Sequence, residues 1–147
     1  MIGVTLTGTY LVAKTVLGAM VARGRGGKVV LVASVVGLVA APALAPMPAY
    51  AAAKGAVVNL TRELAIEYAS KGITVNTICP GTYRTNISGG ILLDAEGPIV
   101  KAFEAYHPLG RTAVPEEIRG SALFLASSAS DFMTGQMLVV DGGWTAR

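Results

Sequence analysis

Tyr50 and Lys54 are the polar side chains of a run, PAYAAAKGAVV from Pro48 to Val58, that is otherwise small and apolar. Four residues is slightly more than one helical turn, so a helix here puts both on one face with their tips within reach. A phenol beside an ammonium is the start of an acid/base site. A free phenol has a pKa of about 10, and bringing it three units toward neutrality takes roughly 4 kcal/mol of preference for phenolate. A nearby cation in a water-poor site can supply this. Taken alone, the pair fits an amphipathic helix surface more readily than a reactive site. The question is which other residues the chain brings to the same place.

The elements that would position the pair alternate along the chain. Residues 3–22 read as a helix that is apolar nearly all round, expected to be covered on more than one side, and the turn at residues 23–27 ends it. Residues 28–34, KVVLVAS, form a continuous β-branched run of the kind that fills a parallel strand buried on both faces. After a loop rich in Gly, Ala and Pro, the helix of Tyr50 runs over about 49–70, stopped by Lys71-Gly72. Residues 73–79, ITVNTIC, read as a second buried strand closed by Pro80-Gly81. A long mixed segment follows to about Val114, of a length that compact domains reserve for loops with a function. Pro115-Glu116-Glu117 opens a helix to about Ser127, and QMLVVDGG is a last strand.

Helix, strand, helix, strand, helix, strand makes two right-handed crossovers and therefore a parallel three-stranded α/β sheet. Ligands of such sheets sit beyond the carboxyl ends of the strands. This topology gathers Ser34, Tyr50, Lys54 and the Pro80 loop on one rim.

Composition narrows the function classes. The chain has 147 residues, 52% hydrophobic and 14% charged, which is the profile of one domain with a buried core. One cysteine, Cys79, rules out an internal disulfide and reads as a small core residue; one histidine, His107, leaves no zinc set and reads as a solvated loop residue. Trp144 reads as packing, at a subunit contact. The net charge of +3 comes from scattered basic residues without aromatic interleaving, so no nucleic-acid surface is expected. Residues 29–50 carry no charge, but Pro42, Pro46 and Pro48 break them, so no membrane span is expected there; Lys14 and the lack of a basic leader argue against a signal peptide. The expected location is cytoplasmic.

TLTGTYLVAK from Thr5, KVVLVASVVG from Lys28, AYAAAKGAVVNLTREL from Ala49, GITVNTICPGTYRT from Gly72 and TGQMLVVDGG from Thr134 stand in an order and spacing that cover nearly the whole chain. Together they resemble the C-terminal half of a short-chain dehydrogenase/reductase. The resemblance implies one partial Rossmann-type domain over residues 1–147, part of a doubly wound parallel sheet, acting as an NAD(P)-dependent oxidoreductase of the ketoreductase kind. It implies that Ser34 holds the substrate oxygen, that Tyr50 is the general acid/base, and that Lys54 binds the nicotinamide ribose and lowers the tyrosine pKa. Pro80, Gly81, Tyr83 and Thr85 correspond to the loop over the nicotinamide, with Gly81 permitting close approach, the Thr85 hydroxyl meeting the carboxamide or a phosphate oxygen, and Tyr83 a backbone contact. NAD or NADP would be the cofactor, a small carbonyl or alcohol the substrate, and a homo-oligomer, dimer or tetramer, the assembly of the full-length protein. No metal is implied.

Three departures from the family pattern stand out. Thr5 occupies a position where the family usually has an asparagine that kinks a helix and holds a water of the proton relay. Ala45-Pro46-Met47-Pro48 lengthens the interval from Ser34 to Tyr50 and is expected to reshape the substrate pocket. Nothing in the sequence matches the family's glycine-rich phosphate turn or the residue that selects NAD or NADP, so the chain is expected to be inactive alone. The alternative is a non-catalytic fragment or an oligomerisation module built on the first two helices and the last strand.

Overall fold

The computed structural model describes residues 1–87 and 89–146. Three strands, β1 (Gly27–Val32), β2 (Ile73–Pro80) and β3 (Met137–Val140), lie side by side in that order, all parallel. The β1–β2 register runs from Gly27 opposite Ile73 to Val32 opposite Ile78, and β2–β3 from Thr77 opposite Met137 to Pro80 opposite Val140. Parallel neighbours need a crossover, and the chain supplies helices for them: α1 (Thr9–Arg23) before β1, α2 (Pro48–Ala69) between β1 and β2, then α3 (Pro98–Glu104) and α4 (Arg119–Ala126) before β3.

The local causes are legible. β2 is the central strand and almost wholly buried, which suits its β-branched run, and it ends at Pro80, which has no N–H to donate onward. α2 starts with Pro48 in its first turn, where the missing N–H costs nothing. Its buried residues Ala53, Val57, Val58, Thr61, Leu64 and Ala65 repeat at helical spacing and face the sheet. α1 stops at Gly24, whose left-handed φ of 68° lets its amide cap the Met20 and Val21 carbonyls. The main core joins Ala13 and Leu17 of α1, Leu31 of β1, the α2 face, and Ile73, Val75 and Cys79 of β2. Each fully buried Leu, Ile or Val there contributes on the order of 1.5–3 kcal/mol.

Several expectations are corrected. The N-terminal helix opens as a π-helical turn, Gly3–Gly8, in which the Thr9 hydroxyl donates to the Thr5 carbonyl at 2.7 Å, a local bond that competes with the helix ladder. This helix is not covered on more than one side: Ala13 and Leu17 are its buried residues, while Val4, Leu11, Val12 and Val16 face outward. Residues 3–23 are therefore long and apolar enough to cross a membrane by length and composition, with one side against the sheet instead. β1 stops at Val32, two residues short of Ser34, and is half-buried rather than covered on both faces. The helix expected from Pro115 begins as a 3-10 turn, Pro115–Ile118, and becomes α-helical from Arg119. The mixed segment holds α3, which the sequence reading did not foresee.

Candidate active site

Just past β1, Ser34 starts the 3-10 turn Val35–Gly37 as its N-cap, its Oγ accepting weakly from the Val36 amide at 3.4 Å. The turn lies directly on the first two turns of α2. A Cβ on Gly37 would sit 2.7 Å from the Lys54 carbonyl carbon, 2.8 Å from its oxygen and 2.9 Å from the Gly55 nitrogen, so only glycine lets the two backbones touch. This contact brings Ser34 over Tyr50.

Lys54 donates from Nζ to the Val32 carbonyl at 2.7 Å and stands 5.5 Å from the centre of the Tyr50 ring. The last carbonyl of β1 thus fixes the ammonium beside the phenol. Burial pushes the Tyr50 phenol above its ordinary pKa, and the nearby Ser34 side chain acts the other way. Burial pulls the Lys54 ammonium below its ordinary value, opposed by the nearby Cys79 thiol. Desolvation is the larger of the two influences on the phenol. Cys79 is fully buried, as expected, with its thiol facing the Ser34 backbone and its pKa raised by that burial.

The remaining expected residues lie on the neighbouring loop, with different partners. Pro80 ends β2. A Cβ on Gly81 would meet Asp141 Cα at 2.8 Å and His107 Nε2 at 3.0 Å, so what its missing side chain admits in this structure is the end of β3 and a histidine. Tyr83 bridges to Ala113 and directs its hydroxyl to the Val140 carbonyl at 3.4 Å. Thr85 accepts from the Ile87 amide at the limit of hydrogen-bonding distance, 3.5 Å, which leaves its hydroxyl proton for another partner.

The wall beside Tyr50 is apolar. Val35, Val36, Leu92, Val100, Phe103 and Trp144 form a second buried cluster against which Ala45, Met47 and Tyr50 pack. Two members of the segment Ala45-Pro46-Met47-Pro48 thus pack against the same cluster as Tyr50. Trp144 is packing, as expected, and meets Phe103, Tyr106 and His107 at centroid distances of 6.2, 5.4 and 5.5 Å. His107 corrects the sequence reading: it is 4% exposed, held between the Phe103 carbonyl and the Thr82 amide. A lone histidine followed by proline gave no sign of this, because its burial depends on Trp144, far along the chain. Gly37 was also missed; its one signal is its place three residues after Ser34.

Residues 1–145 match the family model described as enoyl-(acyl carrier protein) reductase. The inactive 2-(S)-hydroxypropyl-CoM dehydrogenase 2 of Xanthobacter autotrophicus is 46% identical over 97% of this chain and 61% of its own length. A short-chain type dehydrogenase/reductase from Mycobacterium marinum superposes with a TM-score of 0.91 at 37% identity, over 100% of this chain and 56% of that one. The gluconate 5-dehydrogenase of Burkholderia cenocepacia J2315, in complex with NADP and tartrate, superposes with a TM-score of 0.88 at 39% identity, over 98% of this chain and 54% of that one. The chain thus spans little more than half the length of these relatives. It belongs to the short-chain dehydrogenase/reductase family.

Proposed function

We propose that this member of the short-chain dehydrogenase/reductase family serves as the catalytic and substrate-side half of an NAD(P)-dependent oxidoreductase acting on a small carbonyl or secondary alcohol. The observation that carries the reading is the convergence of three side chains from two elements: Ser34, just past β1, lies near the Tyr50 phenol of α2, and Lys54 of the same helix, tied to Val32, stands beside that ring. A structural relative with bound NADP supports the cofactor class.

The residues present fit such a cofactor. An ammonium has three donors, and the Lys54 bond to Val32 uses one, which leaves donors for a ribose hydroxyl. When bound, the nicotinamide supplies or accepts the hydride. Ser34 positions the substrate oxygen by hydrogen bonding, and Tyr50 gives that oxygen its proton in reduction or takes it in oxidation. Lys54 stabilises the phenolate. The apolar cluster behind Tyr50 keeps water from the phenol, which strengthens each of these polar contacts.

Tyr50→Phe tests the reading, because it removes one hydroxyl and little volume. Assayed as ketone reduction by NAD(P)H, with the chain alone and with it joined to the N-terminal segment of a relative, it should lower turnover about a hundred- to ten-thousand-fold and leave cofactor affinity nearly unchanged. Turnover within about threefold of the parent's would remove Tyr50 from the mechanism.

A second reading has its own observation: the outward apolar residues of the first helix, Val4, Leu11, Val12 and Val16, suit a surface covered by another subunit. A homo-oligomer in the cytoplasm, with or without catalysis, accommodates it. The relative at 46% identity is itself described as inactive, so family membership alone does not carry activity. Sedimentation of the parent and of Val12→Lys distinguishes the two: a catalytic monomer indifferent to Val12→Lys would end this reading.

A further inference from the structure

His107 stands where three segments meet, outside the Ser34, Tyr50 and Lys54 constellation. Its Nδ1 is 2.7 Å from the carbonyl oxygen of Phe103 on α3, and its Nε2 is 3.2 Å from the backbone nitrogen of Thr82 on the loop after β2. Its ring meets Trp144 edge-on, at 73° between planes, and a Cβ on Gly142 would lie 3.3 Å from its Cδ2. These partners fix the proton. A carbonyl only accepts, so Nδ1 carries the hydrogen; a backbone amide only donates, so Nε2 carries the lone pair.

We infer that His107 is a positioning residue, which pins the Gly81–Thr85 loop to α3 and thereby fixes how that loop lies over the nicotinamide end of a bound cofactor. The second half rests on the oxidoreductase reading; the first rests on geometry alone. α3 belongs to the substrate-side segment and carries Val100 and Phe103 of the cluster beside Tyr50. His107 thus links the cofactor-side loop to the wall of the substrate side. Next to it is a cavity of about 200 Å³ lined by Gly81, Thr82, Tyr83, Arg111 and Asp141 among others. The charged groups there are already engaged: Arg111 with Glu117 at 2.6 Å, and Asp141 with the Gly143 amide, the Thr145 amide and the Thr145 hydroxyl. The cavity therefore offers space rather than a replacement acceptor. Truncating the imidazole would enlarge it and leave the Thr82 amide without its buried partner.

His107 is the chain's only histidine, so a ¹⁵N-labelled sample of the chain gives a single imidazole spectrum. The expected result is a proton on Nδ1 and an unprotonated Nε2 at neutral pH. In native-state exchange, the Thr82 amide should exchange at least about tenfold faster in His107→Ala and return toward the parent rate in His107→Gln, whose side-chain oxygen can replace Nε2 as acceptor. Titration of the same variants with NADPH, in the chain joined to the N-terminal segment of a relative, should show affinity weakened about three- to tenfold in His107→Ala and near the joined parent's in His107→Gln. An Nε2-protonated or rapidly averaged ring, Thr82 exchange indifferent to His107→Ala, or unchanged NADPH affinity in that variant would overturn the inference. Should His107→Ala fail to fold, the parent tautomer and the His107→Gln exchange rate still decide it. A joined parent that binds no NADPH defeats the oxidoreductase reading, while tautomer and exchange still judge the contact.

Discussion

Gly37 and Gly55 face each other across the contact between the Ser34 turn and α2, yet replacing them by alanine should have opposite outcomes. A Cβ on Gly37 would lie 2.7–2.9 Å from three backbone atoms of Lys54 and Gly55, and a helix backbone cannot swing aside as a side-chain tip can. A Cβ on Gly55 would meet the Gly37 carbonyl oxygen at 3.4 Å, an ordinary contact. Restoring 3.4 Å around a Gly37 methyl means moving the turn about 0.7 Å off the helix. Overpacking of this kind costs about 1–3 kcal/mol. For a domain of this size that is roughly 3–10 °C in Tm. Gly55→Ala should instead be neutral or gain up to about 1 kcal/mol, because alanine is the better residue inside a helix.

The catalytic consequence follows from the same displacement. The turn carries Ser34 and α2 carries Tyr50 and Lys54, so parting them separates the hydroxyl from the phenol it meets. Misplacement approaching 1 Å can cost up to about a hundredfold in rate. Gly37→Ala should therefore lose about ten- to a hundredfold in kcat, with cofactor affinity changed far less. Thermal unfolding and steady-state kinetics on both variants, side by side, make the measurement. Equal behaviour of Gly37→Ala and Gly55→Ala in both assays would show that the close approach does not hold the site together.

Other perturbations have equally definite outcomes. Ser34→Ala removes the one contact that lowers the Tyr50 pKa against burial, so the rise of alcohol oxidation with pH should move to higher pH; an unmoved profile would separate Ser34 from the phenol. Thr5→Asn, at the π-helical turn, should raise turnover more than it alters substrate affinity, and altered affinity at constant turnover would make Thr5 purely structural. The Glu117 carboxyl is held down to about 2 by its bond from Arg111 and by the Val114 amide. Its pKa is depressed on folding, so its contribution is present above the unfolded value near 4.5 and is lost as pH falls toward 2. Urea unfolding at pH 7, 4 and 3 should show Glu117→Gln with a shallower acid loss than the parent, and parallel curves would refute the assignment.

What the sequence disclosed and what it withheld divide along physical lines. The strands were legible because uninterrupted β-branched runs such as KVVLV and ITVNTI have few other places to go. The Tyr50 and Lys54 pair was legible because helical spacing is local. Features set by contacts between distant segments were not. α3 is only seven residues long, too short for a hydrophobic period to declare itself, although Gly97-Pro98 marks its start. His107 looked solvated because the ring that covers it, Trp144, comes much later in the chain. The first helix was misjudged because apolar composition reports a preference for cover, whereas the sheet covers only the side of Ala13 and Leu17.

The electrostatics of the pair belong to the same class of hidden property, and they change how the motif should be read. Tyrosine and lysine at this spacing suggest that the ammonium tunes the phenol. In the folded chain, burial acts first on both, driving the phenol up and the ammonium down, each toward its neutral form. The Val32 carbonyl accepts from Lys54 and orients the ammonium. The fold therefore sets the positions of the pair while burial works against the charged form of each. A ligand on the rim acts the other way: a group that accepts further hydrogen bonds from Lys54 stabilises the ammonium, and a positive group near Tyr50 lowers the phenol. A site built this way couples acid/base competence to ligand binding, because the desolvation that disfavours both charges is offset only when a partner of the right polarity is present.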